Sequence, residues 1–200
     1  MARAGLTTER VVAAAADLAD QVGLEKVTLS ALARGFGVKD ASLYSHVRNS
    51  QDLRVRLALL AAGELADRIV PAVAGLAGRD ALSAFARTYR DYALAHPGRY
   101  AATQLPLDQD TVAASPAAQR SIAACSAILR GYGLAEPDLI DAGRLLRATL
   151  HGYVSLEAAG GFGHARPVQV SFERSITALH LVLSHWVRSD RPIDPPAPWS

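Results

Sequence analysis

The side chains with the most chemical potential lie close together between Thr28 and Leu53, in the run TLSALARGFGVKDASLYSHVRNSQDL. Lys39, Asp40, Ser42, Tyr44, Ser45 and His46 are hydrogen-bonding groups, and Leu43 and Val47, four apart, give the same stretch an apolar side. A short helix divided in this way can be held on a scaffold by its leucine and valine while its polar side enters a DNA major groove. Lys39 could donate to guanine or to a phosphate, and Asp40 could accept from cytosine or cap the helix. Thr28 and Ser50 stand at two expected helix starts, where free backbone amides and a partial positive charge favour phosphate. The same pattern also fits a polar helix pair in an ordinary helical bundle.

No other constellation reaches this density. His180 and His185 are five apart and lie on different faces of a helix, and no His-x3-His or carboxylate pairing accompanies them or His151 and His164, so no metal site is expected. The single cysteine, Cys125, excludes an intramolecular disulfide and a cysteine-based zinc site, and it reads as a small buried apolar residue. Gly160-Gly161-Phe162-Gly163 follows an expected helix rather than a strand, which argues against a phosphate loop. No strand–turn–helix context for a nucleophile elbow is present. Neither enzymatic chemistry nor a cofactor is expected.

The elements that must position the polar run all read as helices, so the fold class is all-α, with about nine helices and no internal repeat. Thr7-Thr8-Glu9 caps a first helix with Val11, Ala15, Leu18 and Val22 on one face, and Gly23 stops it. Thr28 caps a second, with Leu29, Leu32, Ala33 and Phe36 inward; Gly37 supplies a turn that needs positive φ. Asp40 to Val47 is the third. A fourth runs from Ser50 to Val70 with Leu53, Leu57 and Leu60 on one stripe, and Pro71 ends it. Asp80 to His96 is amphipathic, with Leu82, Phe85, Tyr89, Tyr92 and His96 sharing a face. A short helix is expected over Arg99 to Gln104, a loop over Leu105 to Ala114, and helices from Ser115-Pro116 to Arg130, from Pro137 to Ala159, and from a Ser171 cap through Trp186. This divides the chain into a region 1–50 containing the motif 28–47, a connecting helix 50–70, a region 71–190 and a proline-rich tail 191–200.

With 200 residues, 50% hydrophobic and 20% charged, the chain can bury a core of one or two small domains. Its net charge is only +2, and its isoelectric point of about 8.9 is a weak hint of a polyanion partner. The first eight residues lack an apolar run of the kind a signal peptide needs, and no stretch approaches ~20 apolar residues, so a cytoplasmic chain without a membrane span is expected.

The run Val12 to Leu53 resembles the tetracycline-repressor (TetR) family of bacterial transcription regulators. The resemblance is carried by the apolar first helix, Gly23, Thr28, Leu32-Ala33, the GVxxxSLYxHV core from Gly37 to Val47, Asn49 and Leu53. It implies that 1–50 is a three-helix helix-turn-helix DNA-binding domain and that 71–190 is a helical regulatory, ligand-binding and dimerisation domain. By the same resemblance Thr28, Tyr44 and His46 contact phosphate or brace the recognition helix, and Lys39, Asp40 and Ser42 lie near base edges. Many members have lysine where this chain has Ser50; Ser50 can still cap the helix or meet a phosphate, and Arg48 or Arg54 can supply the charge. Arg3 and Arg10 can add contacts from an N-terminal arm.

LLRATLHGYVSLEAAGGFG, from Leu145 to Gly163, is similar to the WHG-type regulatory domain of this family, although Leu150-His151-Gly152 lacks the tryptophan. The resemblance implies a homodimer through helices 139–159 and 171–188, with Gly143, Ala148, Gly152 and Ala158 either permitting close helix approach or packing within one chain. It also implies an unknown small-molecule effector whose pocket draws on Phe85, Tyr89, Tyr92, His96, Tyr100, Leu105, Leu107, Ile122, Cys125, Leu129, Leu150 and Tyr153; an aromatic stripe of this kind is equally a plain core. The function expected is a repressor that binds a palindromic double-stranded operator and is released by the effector. The alternatives are a helical ligand-binding or enzymatic protein without DNA binding, and a DNA-binding regulator without a ligand.

Overall fold

The structure, a computed structural model, describes residues 5–188, and these form α-helices joined by turns, with no strand among them. The nine helices are α1 (Thr8–Val22), α2 (Leu29–Phe36), α3 (Ser50–Val73), α4 (Gly78–Ala95), α5 (Pro97–Thr103), α6 (Gln109–Ala113), α7 (Pro116–Arg130), α8 (Asp138–Ala158) and α9 (Val168–Ser184). Arg3 and the tail 191–200 lie outside the described residues.

The membership of this set differs from expectation in instructive places. Asp40 to Val47 is not an α-helix: Asp40–Ser42 is a 3₁₀ turn, followed by further turns to His46. The segment starts with tighter three-residue bonds, Ser42 N–H to Lys39 C=O at 2.9 Å and Leu43 N–H to Asp40 C=O at 3.0 Å. Pro71 does not stop α3, which continues to Val73, because a proline so near the end removes only one ladder bond. The expected loop over 105–114 contains α6, started by Asp108, whose carboxylate accepts from the Thr111 N–H at 2.7 Å. The last helix begins at Val168 directly after Pro167, so Ser171 lies inside it rather than capping it, and Trp186 falls beyond its end.

By its contacts the chain separates into two compact units. The first comprises residues up to Ala72 together with Arg87–Ala124, and the second comprises Val73–Ala86 together with the residues from Cys125 onward. The segment 87–124, read from sequence as part of 71–190, thus belongs with the N-terminal helices.

Within the first unit, Val11, Ala15 and Ala19 of α1, Leu32 of α2, Leu43, Val47, Leu53 and Leu57 build one buried core, and Ala102 of α5 completes it. At Gly98 an added Cβ would stand 2.0 Å from the Ala19 carbonyl carbon and 2.4 Å from the Asp20 nitrogen, so the start of α5 rests directly on the α1 backbone. Arg99 fastens this contact. Its backbone N–H donates to Asp20 at 2.8 Å, its guanidinium pairs with Asp20 and, at 2.6 Å, with Asp17. Its Nε lies 3.1 Å from a Glu64 oxygen, an ionic contact too poorly aligned to be a hydrogen bond. His96 Nε2 accepts from Arg68 at 2.8 Å, since a guanidinium only donates, which leaves the ring proton on Nδ1 facing Asp20 at 3.2 Å.

In the second unit, Leu146, Leu150 and Val154 of α8 pack with Phe172, Ile176, Leu179 and Leu183 in a buried core. Tyr153 lies against Phe162 and Phe172, with ring centroids 5.3 and 5.4 Å away, and its hydroxyl accepts from Ser175 at 2.7 Å. Gly160, at φ 68°, turns the chain out of α8.

Candidate nucleic-acid interface

The polar run is built outward from its apolar anchors. Leu43 and Val47 are essentially fully buried, as their spacing requires, and each contributes about 1.5–3 kcal/mol by leaving water. Gly37 ends α2 in the left-handed region, at φ 66° and ψ 34°. Its N–H donates to Arg34 C=O at 3.1 Å and the Val38 N–H to Ala33 C=O at 3.0 Å, which closes α2 and throws the chain into the turn. The Thr8 hydroxyl donates to His46 C=O at 3.2 Å, tying the far end of the turn to the start of α1.

What remains on the outside is the expected set. Thr28, Lys39, Asp40, Ser42, Tyr44, Arg48 and Ser50 are exposed, and His46 is half-buried. Tyr44 is 57% exposed, unusual for an aromatic that has an apolar core three side chains away to join. Thr28 caps α2 by accepting from the Ala31 N–H at 3.1 Å. The Ser30 hydroxyl donates to the Asp40 carboxylate, so Asp40 is bonded to α2 and does not cap its own turn through its side chain. Ser45 donates to Ser42 C=O at 2.9 Å.

Ser50 does not cap α3. Asn49 does, its side-chain oxygen accepting from the Asp52 N–H at 2.9 Å, while Asp52 reaches back to the Arg48 N–H at 2.9 Å and holds Arg56 at 3.1 Å. The signal was legible as Asn-x-x-Asp before an apolar stripe, a variant of the capping box. Partial burial of Asp52 acts to raise its pKa, but the Arg48 N–H and the Arg56 guanidinium outweigh it and hold the carboxylate below its usual 3.8. Its stabilising contribution is therefore complete above that value and declines as pH falls through the lower folded-state value. Asp52→Ala is expected to cost about 1 kcal/mol at neutral pH. The difference from wild type in urea denaturation should shrink once both proteins are below pH 3.8. Arg54, one of the two replacements named for the missing lysine, is paired with Glu25 at 2.9 Å, which leaves Arg48 as the exposed cation at this helix start.

The residues named for an effector pocket divide between the two units. Tyr89, Tyr92, His96, Tyr100, Leu105 and Leu107 belong to the first, and their hydroxyls and ring nitrogens are already engaged: Tyr89 with Tyr100 at 3.0 Å, Tyr92 with Ala61 C=O at 3.1 Å and Glu64 at 3.2 Å. Burial, aided by the Glu64 charge, pushes the Tyr92 phenol well above its ordinary value. Ile122, also in the first unit, is exposed. Phe85, Cys125, Leu129, Leu150 and Tyr153 belong to the second, with Phe85, Leu129 and Leu150 buried. The Cys125 thiol is pushed up to about 11 by burial, the behaviour of an unreactive packing residue.

The chain is similar to known proteins in both its N-terminal and its C-terminal parts. Residues 11–57 match the family model described as bacterial regulatory proteins, tetR family, and residues 82–179 match the tetracyclin repressor-like C-terminal domain. It is 35% identical over 158 residues to the HTH-type transcriptional regulator Rv0681 of Mycobacterium tuberculosis, covering 78% of this chain and 72% of that one. It is 34% identical over 176 residues to the HTH-type transcriptional regulator YobS of Bacillus subtilis, covering 87% and 91%. Its fold is similar to that of BioQ, solved with its double-stranded DNA operator, at a TM-score of 0.65 and 23% identity over 90% of this chain and 99% of that one. A helix-turn-helix match at one end, a regulatory-domain match across most of the remainder and an exposed, anchored polar turn agree with one another: the chain belongs to the TetR family, and it is a DNA-binding transcriptional regulator rather than an enzyme.

Proposed function

We propose that the chain acts in the cytoplasm as a homodimeric repressor that reads a palindromic operator through the turn 39–46 and is released by a small organic effector. The observation that carries the DNA reading is the turn itself. Its leucine and valine are buried, both its ends are bonded to α1 or α2, and Lys39, Ser42 and Tyr44 are left facing outward. In this reading Tyr44, Thr28, Arg48, Ser50 and His46 hold phosphates or brace the turn, and Lys39, Asp40 and Ser42 meet base edges.

The second copy is supported by the outer faces of α8 and α9. Leu145, Ala148, Gly152, Leu156 and the cap residue Ala159 follow three- and four-residue steps along α8, and on α9 Ala178, Leu181 and Val182 lie within about one turn, two turns beyond Val170. Leu145, Leu156, Val170, Leu181 and Val182 are all exposed in the single chain. An added Cβ at Gly152 would meet nothing within 4 Å, whereas one at Gly143 would stand 3.7 Å from Leu129, so Gly152 belongs to the outer stripe and Gly143 to packing inside the chain. A two-fold dimer also places two reading turns on half-sites about 34–36 Å apart, as one short turn cannot read enough bases alone.

Effector control needs a ligand that binds the DNA-incompetent geometry better than the competent one. α3, the connecting helix, offers one path for such a change to reach the turn. The docking of Gly98 and Arg99 on α1 supports a second path, since any displacement at the end of α4 is passed through α5 to the helix that holds the reading turn.

The test is a mobility-shift titration with DNA flanking the gene, against scrambled competitor. Wild type is expected to give a sequence-specific shift at moderate salt, and Tyr44→Ala to weaken it by about tenfold or more while sedimenting as the same dimer. Absence of a specific shift would remove the repressor reading, and unchanged affinity in Tyr44→Ala would remove this turn as its site.

A further inference from the structure

Asp40 is an anomaly on a surface meant for a polyanion. In the stretch from Val38 to Ser50 the formal charges are Lys39, Asp40 and Arg48, so one carboxylate cancels half of the local positive charge. It is exposed, and it is not idle: one oxygen is held by the Ser30 hydroxyl on α2, across the helix-turn-helix. An ionised carboxylate accepts and never donates, so Ser30 must be the donor, and the second oxygen is left to seek an N–H donor elsewhere. Close to DNA, phosphates repel such a group wherever it sits. On the major-groove edges only the exocyclic amines of cytosine and adenine can donate to it, whereas guanine and thymine present acceptors or a methyl group there.

We propose that Asp40, aimed by Ser30, is a discriminating residue that lowers affinity for DNA in general and restores it where an amine-bearing base faces the turn. Ser30 is then a positioning residue: it touches no base and acts by holding the carboxylate in one orientation. The proposal rests on the DNA reading given above and adds to it a chemical preference at one position of each half-site. It also accounts for a turn that carries a carboxylate at the point where a further cation would grip phosphate more strongly.

The experiment selects an operator from random-sequence DNA with the intact wild-type protein. Affinities are then measured for that operator, for its single-base variants and for unrelated duplex, over a salt series. Asp40→Ala, which removes both the charge and the acceptor, is expected to bind unrelated duplex about threefold to tenfold tighter, because one repelling charge is gone, and to lose its preference at one position per half-site. Ser30→Ala keeps the charge, so its affinity for unrelated duplex should stay within about twofold of wild type while the same positional preference weakens. Ser30→Thr, which keeps the hydroxyl, should restore the preference, an outcome that loss of mere stability in Ser30→Ala would not produce. An unaltered base preference in Asp40→Ala, or weaker binding to every duplex, overturns the proposal while leaving the DNA reading intact. If wild type selects no operator at all, the DNA reading fails and the proposal falls with it.

Discussion

Replacing Gly98 by alanine is expected to undo the seating of α5 on α1. The new Cβ would lie 2.0 Å from the Ala19 carbonyl carbon and 2.1 Å from its oxygen, far inside contact distance and against backbone that cannot rotate away. One of the two helices must shift by an ångström or more, and Arg99, the next residue, would move off Asp20 and Asp17 with it. The Arg99 and Asp20 side chains are 13% and 15% exposed, so separating them leaves charges with little water to replace the lost partner. Overpacking of this severity and a disturbed, poorly hydrated ion pair together are expected to cost about 3 kcal/mol or more, a fall in Tm of about 10 °C for a chain of this size. Gly63→Ala is the internal control. Its Cβ would meet only the Ala117 side chain at 3.2 Å, which a few tenths of an ångström relieve, and alanine favours the helix, so little change in Tm is expected. Thermal unfolding of both variants decides the matter, and a Gly98→Ala protein as stable as Gly63→Ala would mean that α5 does not rest on α1 as described.

The second large effect concerns assembly. Leu181→Arg replaces a side chain that is 55% exposed in the single chain, so folding of the monomer should change by about 0.5 kcal/mol or less. In a two-fold dimer built on α8 and α9, the same substitution puts two unpaired guanidinium groups into one interface, once from each copy, because the contact is self-complementary. An uncompensated charge buried in this way costs about 3–5 kcal/mol, and about 4 kcal/mol corresponds to a thousandfold rise in the dimer dissociation constant. Operator affinity should fall with it by about a hundredfold or more, since a monomer engages one half-site. Sedimentation equilibrium and an operator titration check the two consequences separately. A variant that remains dimeric at wild-type concentrations would place the interface elsewhere. Loss of operator binding without loss of the dimer would show that α9 reports on DNA by another route.

The local elements around the reading turn were legible because short-range rules govern them. Thr28 as a cap, Gly37 as a left-handed turn, and Leu43 with Val47 as anchors each depend on a residue and its neighbours within four positions, and each is found as read. The failures are of a different kind. The apolar spacing predicts a helix over Asp40 to Val47, yet two buried side chains are satisfied as well by a 3₁₀ turn once α2 and α1 hold its ends. Ser50 can cap a helix by its residue type, yet the cap of α3 is Asn49 beside it, with Asp52 at the right distance. Phe85, Tyr89 and Tyr92 on the shared face of α4 are buried, and periodicity could not say that Tyr92 and His96 would be tied to α3 and α1.

The amino-acid sequence by itself determined the class of the protein. Helical periodicity gives the all-α class, and the GVxxxSLYxHV run, by its resemblance to the TetR family, points to a DNA reader, since both are encoded by residues close together in the chain. Only the tertiary structure decided what that reader is made of. Arg99 lies 79 positions from Asp20 and Asp40 lies 10 from Ser30, so neither pair follows from local pattern. The physical reason is that a charge, a hydroxyl or a glycine is equally at home on many helix surfaces. Which one it serves depends on which helix the rest of the chain brings against it. For Gly98 and Arg99 that helix is α1, and so the unit that holds the turn 39–46 is completed by a segment from the middle of the chain.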